Sequence, residues 1–206
     1  MANQNKPFGL AFTRSISGTT GEQTTRYYIP STDNNAYYIG DAVISAAVGD
    51  ALGTPGCNKA TSGTEVLRGV IAGVEPVNQL QASLVGSTLQ LEQTSIPATK
   101  SHAYYAYVID DPAAVFTIQG DGTATNQVAT NSNKNFSLTI AAGATVQSLS
   151  GTVLNSASLN TTNSLNMKAM GLRQTPPDFT NGYSAYAVWN CRINLHELSA
   201  AGTTAI

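Results

Sequence analysis

Charge is what this chain has least of. Only 11% of its 206 residues are Asp, Glu, Lys or Arg, and 10 basic against 12 acidic side chains leave a formal charge of −2. A nucleic acid or an anionic bilayer is held by a basic patch or stripe. The Lys and Arg residues are instead scattered from Lys6 to Arg192, so neither nucleic acid nor membrane is expected as a partner. Few Lys and Glu also argue against long exposed helices, whose solvent face those residues normally fill. No apolar run approaches the roughly 18 residues of a membrane span. The opening MANQNKPFGL lacks the apolar core of a secretory signal, and the expectation is a protein made and used without export.

Cysteine and histidine are equally scarce. Cys57 sits in turn-rich GTPGCNKATSG and Cys191 in a strand pattern, which suggests neither a disulfide framework nor a metal knuckle. His102 and His196 have no second His nearby, and there is no HxH, HExxH or CxxC, so no metal and no cofactor are expected. The chain also has no GxSxG elbow, phosphate loop or dinucleotide fingerprint. Asp110 and Asp111 are adjacent, which on a strand sends them to opposite faces, and DDP reads as a turn cap rather than as a pair of catalytic carboxylates. GDGTATN offers oxygens at Asp121, Thr123 and Thr125 but lacks the alternating carboxylates and closing Glu of a calcium loop. The expectation is a protein that is not an enzyme, with no catalytic residue.

What is abundant is hydroxyl and amide: 25 Thr, 18 Ser and 17 Asn, together 60 of the 206 residues. Thr favours strands, and Asn and Ser favour the turns between them. Strand patterns fall at TTRYYIP, NNAYYIGDAVI, EVLRGVIAGVEP, STLQLEQ, AYYAYVIDDP, AVFTIQGDG, FSLTIA and SLNMKAMGLRQ. The phase of the last one shifts at Met170 and Gly171, the mark of a β-bulge. Residues 48–63 read as a loop, 121–135 as a long exposed loop, and VQSLSGTVL as the place for one helical turn. Tyr27, Tyr28, Tyr37, Tyr38, Tyr104, Tyr105 and Tyr107 are either half-buried strand residues or, where they face outward, surfaces that stack on sugars or fill a protein interface.

The segment GYSAYAVWNCRINLHEL holds the only Trp, and in it Tyr183, Ala185, Ala187, Trp189, Cys191, Ile193 and Leu195 share one parity. Alternate strand residues face opposite ways. Trp189 and Cys191 are therefore expected inward and Arg192 and His196 outward, making the cluster a wall and not a site. The fold class is mainly β: an antiparallel β-sandwich, jelly roll or barrel with long loops and an extended N-terminal arm. Residues 1–22 are read as the arm, with no regular element in it, and 23–206 as a single β-rich domain.

Four stretches read together carry a resemblance: ANQNKPFGL at the start, YYIPST followed by GD and Val43, VIDDPAAVFTIQGDG, and YAVWNCRINLHEL. In order and spacing the chain resembles a family of tailed-bacteriophage virion proteins, the capsid decoration or cement proteins. After Leu10 the chain departs from that family, with AFTR where Arg and Pro often follow. The resemblance implies a structural protein on the capsid exterior of the virion, synthesised in the host cytoplasm. Its partners would be the major capsid protein and its own copies in a dimer or trimer. Pro7, Phe8, Gly9 and Leu10 become candidates for a capsid-anchoring arm that can be removed without unfolding the body. A carbohydrate-binding or host-attachment module on the virion is the alternative that the tyrosines keep open.

Overall fold

A computed structural model describes residues 3–18, 21–75, 94–143, 148–174 and 181–199. Among the described residues the protein is mainly β, without an α-helix, and its strands are numbered β1 to β14 along the chain. Five strands close a barrel in the order β2 (Thr25–Ile29), β5 (Pro55–Lys59), β4 (Ala42–Gly49), β6 (Gly69–Val74) and β8 (Tyr104–Ile109). All neighbours are antiparallel except β2 and β5, which meet in parallel with Tyr28 opposite Gly56. A second, five-stranded sheet runs β1 (Ala11–Ser15), β9 (Ala114–Gln119), β14 (Val188–Ile193), β13 (Met167–Leu172) and β10 (Asn135–Phe136). Two short ladders complete the body: β3 (Tyr37–Tyr38) on β7 (Ser95–Ile96), and β11 (Leu138–Thr139) on β12 (Val153–Leu154).

The strand period of two explains how barrel and sheet join. Val43, Ile71 and Val108 point into the barrel with Tyr27, Ile29, Cys57 and Ala106, and the β3–β7 ladder adds Tyr37 and Ile96. Their immediate neighbours Ala42, Val70 and Ile109 point out of the same wall into a second core, where Phe116, Ile118, Met167, Ala169, Trp189, Cys191 and Ile193 of the sheet meet them. Each large apolar side chain buried this way contributes about 1.5–3 kcal/mol. Gly69 is needed where β6 crosses β8, because a Cβ there would strike the carbonyl of Ile109. The bulge expected in β13 is present, between Ala169 and Gly171, and Gly171 takes φ +125°.

Five expectations need correction. The N-terminal segment is not free of regular structure: β1 is an edge strand paired with β9, and Phe12 packs edge-on against Phe116 at 6.3 Å. The long final strand spans only Val188–Ile193, because Tyr186 turns with φ +61° and Ala187 N–H donates to the Ser184 carbonyl just before it. After Ile193 the chain leaves the sheet to bridge Leu67, so parity resets and His196 is buried rather than outward. The stretch 48–63 contains β5. The polar stretch 121–135 forms two 3-10 turns, Ala124–Asn126 and Ala129–Asn131, and buries Gln127. The turn expected in VQSLSGTVL falls partly outside the described residues. Its described part holds β12, and a 3-10 turn follows at Ser156–Ser158, where the Asn155 side chain accepts from Ala157 N–H. STLQLEQ lies outside the described residues.

Candidate functional site

The four candidate residues of the arm do not share one environment. Pro7 and Phe8 are half-buried, whereas Gly9 and Leu10 are buried in the body. Leu10 N–H donates to the Gly40 carbonyl at 3.0 Å, and its side chain belongs to the core between barrel and sheet. Gly9 has φ +71° and Gly40 φ +89°. A Cβ on Gly9 would lie 2.6 Å from the Gly40 carbonyl oxygen, and one on Gly40 would lie 2.7 Å from that of Phe8. Two separate sequence features, the Gly of Pro-Phe-Gly-Leu and the Gly before Asp41, therefore exist for each other.

Upstream of this junction the chain is pinned by side-chain bonds. Asn3 Nδ2 donates to the Gly182 and Ala185 carbonyls at 3.1 and 3.2 Å and to Ser184 Oγ at 2.9 Å. Lys6 N–H donates to Gln119 Oε1 at 3.1 Å, and Gln119 Nε2 donates back to the Gln4 carbonyl at 2.5 Å. The side chains of Gln4, Asn5 and Lys6 face solvent. Residues 3–8 thus form a strap over the end of β9 and the approach to β14, exposed along its outer side.

Beside the Gly9–Gly40 junction sits a lock made from rare charges. Asp41, fully buried, accepts from Tyr38 N–H at 2.9 Å and from Lys59 Nζ at 2.7 Å. Lys100 Nζ donates to the Asp33 and Asn35 carbonyls at 2.6 and 2.7 Å, and the Tyr37 hydroxyl donates to Asp33 Oδ2. Burial pushes the Tyr37 phenol up, helped by Asp33, and pulls the Lys100 ammonium down against the pull of Asp33. Such bonds hold the segment between β2 and β3 in place.

Several other titratable residues are also built in. Asp110 accepts from Thr25 Oγ1 at 3.0 Å, from Tyr27 Oη at 2.9 Å and from Arg68 at 3.3 Å. Asp111 accepts from Ser15 Oγ at 2.5 Å and from Ala113 N–H at 2.8 Å. These carboxylates line a polar recess of about 590 Å³ with Ser17, Gln23, Thr24 and Thr25, but all four of their oxygens already accept hydrogen bonds within the protein. Burial, then Asp110, pushes the Tyr27 phenol up to about 12. Cys57 and Cys191 are buried free thiols, the first raised to about 12 by burial and Asp33, the second raised by burial alone. His102 stacks on Tyr104 at 4.5 Å, and no group of three or more metal-ligating side chains occurs among the described residues.

Of the seven tyrosines that the strand patterns hold before residue 110, Tyr27, Tyr37, Tyr38 and Tyr104 are buried, Tyr28 and Tyr105 are half-buried, and Tyr107 is exposed. Two elements gave no sequence signal. Gln127 hides in a polar stretch with nothing to mark it as core, and the Arg68–Asp110 contact joins residues 42 positions apart. The chain was compared with protein families, with curated proteins and with solved structures, and no match was found in any of the three.

Proposed function

We propose that the protein is a structural virion protein that sits on the outside of a phage capsid and bridges subunits of the major capsid protein. One observation carries the reading. The four stretches on which the resemblance rests are distant in sequence but adjacent in space. Pro7–Leu10 meets Gly40, and β9 pairs in register with β14, Phe116 facing Cys191 and Ile118 facing Trp189. Residues that serve one contiguous piece of structure are what a shared family core would retain. The strap of residues 3–8 then supplies an exposed polar edge anchored on that core, suited to lying against a neighbouring protein. High copy number on a shell lets each such contact be modest while the array holds by avidity.

The placement of Leu10 narrows the anchor. Gly9 and Leu10 are committed to the body, so the capsid contact is assigned to Pro7, Phe8 and the solvent-facing side of Gln4 to Lys6. The test is co-sedimentation with capsid shells lacking the protein. The full chain should bind saturably at a fixed ratio to the major capsid protein, and a chain lacking residues 1–6 should fold yet bind more weakly. If no shell takes up the full chain, the proposal falls. Equal binding by the shortened chain removes Gln4 to Lys6 from the contact and leaves Pro7, Phe8 or another part of the body as the anchor.

A further inference from the structure

The outer face of the barrel carries an arrangement that lies outside the strap of residues 3–8. Antiparallel pairing of β2 with β8 sets Arg26 opposite Tyr107 and Tyr28 opposite Tyr105, and on the other side β6 places Gly73 opposite Tyr107. Tyr27, Ala106 and Val108, the intervening residues, fill the barrel interior, so these partners project outward. Tyr105 is fixed from several directions. The Arg26 guanidinium lies 3.5 Å from its ring centroid, Tyr28 packs against it at 5.7 Å, and its hydroxyl donates to Asp50 at 2.9 Å. Glu75 in turn grips Arg26 through two bonds, Nε to Oε2 at 2.5 Å and Nη2 to Oε1 at 3.0 Å.

Tyr107 is the member left open, with 36% of its surface exposed. A Cβ added to Gly73 would meet only Tyr107 Cδ2, at 3.8 Å. The ring is thus bordered by a residue with no side chain, and the result is a shallow shelf walled by the Arg26–Glu75 pair. An aromatic face is the negative end of a quadrupole, and the axial C–H bonds of a pyranose present weakly positive hydrogen to it. Around a sugar's rim are hydroxyls, for which a guanidinium donates and a carboxylate accepts. Arg26 and Glu75 neutralise each other and Asp50 adds a negative charge at the Tyr105 hydroxyl, so the shelf does not favour an anion. A protein hot spot is also rich in Tyr and Arg, but it sits in a well-packed, fully desolvated pocket, whereas Tyr107 lies open on a shelf between Arg26 and Gly73.

We propose that this shelf binds a neutral oligosaccharide, one pyranose ring lying on Tyr107 with its hydroxyls met by Arg26 and Glu75. The test uses the full chain without shells, so its failure is separate from failure of the decoration reading. Maltohexaose, cellohexaose and hexa-N-acetylglucosamine are each titrated to millimolar concentration while backbone amide NMR shifts are followed. The expected result is saturable movement at Gly73, Tyr105 and Tyr107 with at least one of the three. Tyr107→Ala should abolish it at unchanged melting temperature, Tyr107→Phe should keep it, and Gly73→Leu should block it by filling the shelf. No saturable shift with any of the three sugars overturns the proposal, as does binding that survives Tyr107→Ala. Loss of shell binding by Tyr107→Ala without any sugar response would overturn it too, and make the face a protein contact.

Discussion

The indole N–H of Trp189 donates to Gln127 Oε1 at 3.3 Å, inside the core, and the same oxygen accepts from Ala187 N–H at 3.1 Å. Gln127 Nε2 completes the arrangement by donating to the Asp121 carbonyl at 2.6 Å. The chain's one Trp is therefore satisfied by a glutamine that a polar loop folds inward. Trp189→Ala should cost about 3–5 kcal/mol by opening a cavity. Gln127→Ala should cost about 1–3 kcal/mol, because it strands two buried donors. Urea unfolding of both variants checks this, and a Trp189→Ala protein as stable as the parent would mean that the wall around it is wrongly described.

The contact between Gly9 and Gly40 gives a sharper mutational contrast. Gly9→Ala combines a left-handed φ with a Cβ 2.5 Å from that of Ser150, and the loss should be about 1–3 kcal/mol or more. Gly18 and Gly53 also have positive φ, +89° and +88°, but nothing lies within 4 Å of an added Cβ. Alanine at either should cost about 1 kcal/mol, the conformational share alone. Equal losses at Gly9 and Gly18 in thermal unfolding would show that the junction is not tightly packed.

His196 makes stability depend on pH. Burial lowers its pKa and Arg68 adds to that, against the opposing pull of Asp110, Glu197 and Asp111. Its Nδ1 already accepts from Leu198 N–H at 3.0 Å, so the neutral ring is the one the fold receives. The unfolded chain takes up a proton near the ordinary value of about 6.5, before the folded chain does. Stability from this group is thus full above about pH 6.5 and is lost as pH falls from there toward the lower folded value. The urea midpoint should drop between neutral pH and about pH 5, and His196→Gln should flatten that part of the profile. An identical slope in the variant would assign the effect to other groups.

Local pattern revealed the β class, the inward faces of Trp189, Cys191 and Ile193, and the bulge at Gly171, because each is set by neighbours two residues apart. What it missed depends on distance. The strand β5 lies in Pro-Gly-Cys-Asn-Lys, a stretch of turn-forming residues held extended by pairing with β4. His196 turned inward because Leu67, far back in the chain, captured its backbone. Pro7–Leu10 reads as part of an arm without regular structure until Gly40 is placed beside it. Tyr107 could be named as one tyrosine among seven, but only the pairings with Arg26 and Gly73 separate it from its buried relatives.

The wall shared by barrel and sheet restricts how this chain can change length. Since consecutive residues such as Val70 and Ile71 serve different cores, adding one residue within β6 would exchange their directions. Val70 would turn into the barrel and Ile71 toward the sheet, so one strand's error would spoil the packing of both cores at once. The same holds for Ala42 and Val43 in β4 and for Val108 and Ile109 in β8. Insertions and deletions in related chains should therefore fall in the connections, while these three strands keep a fixed number of residues.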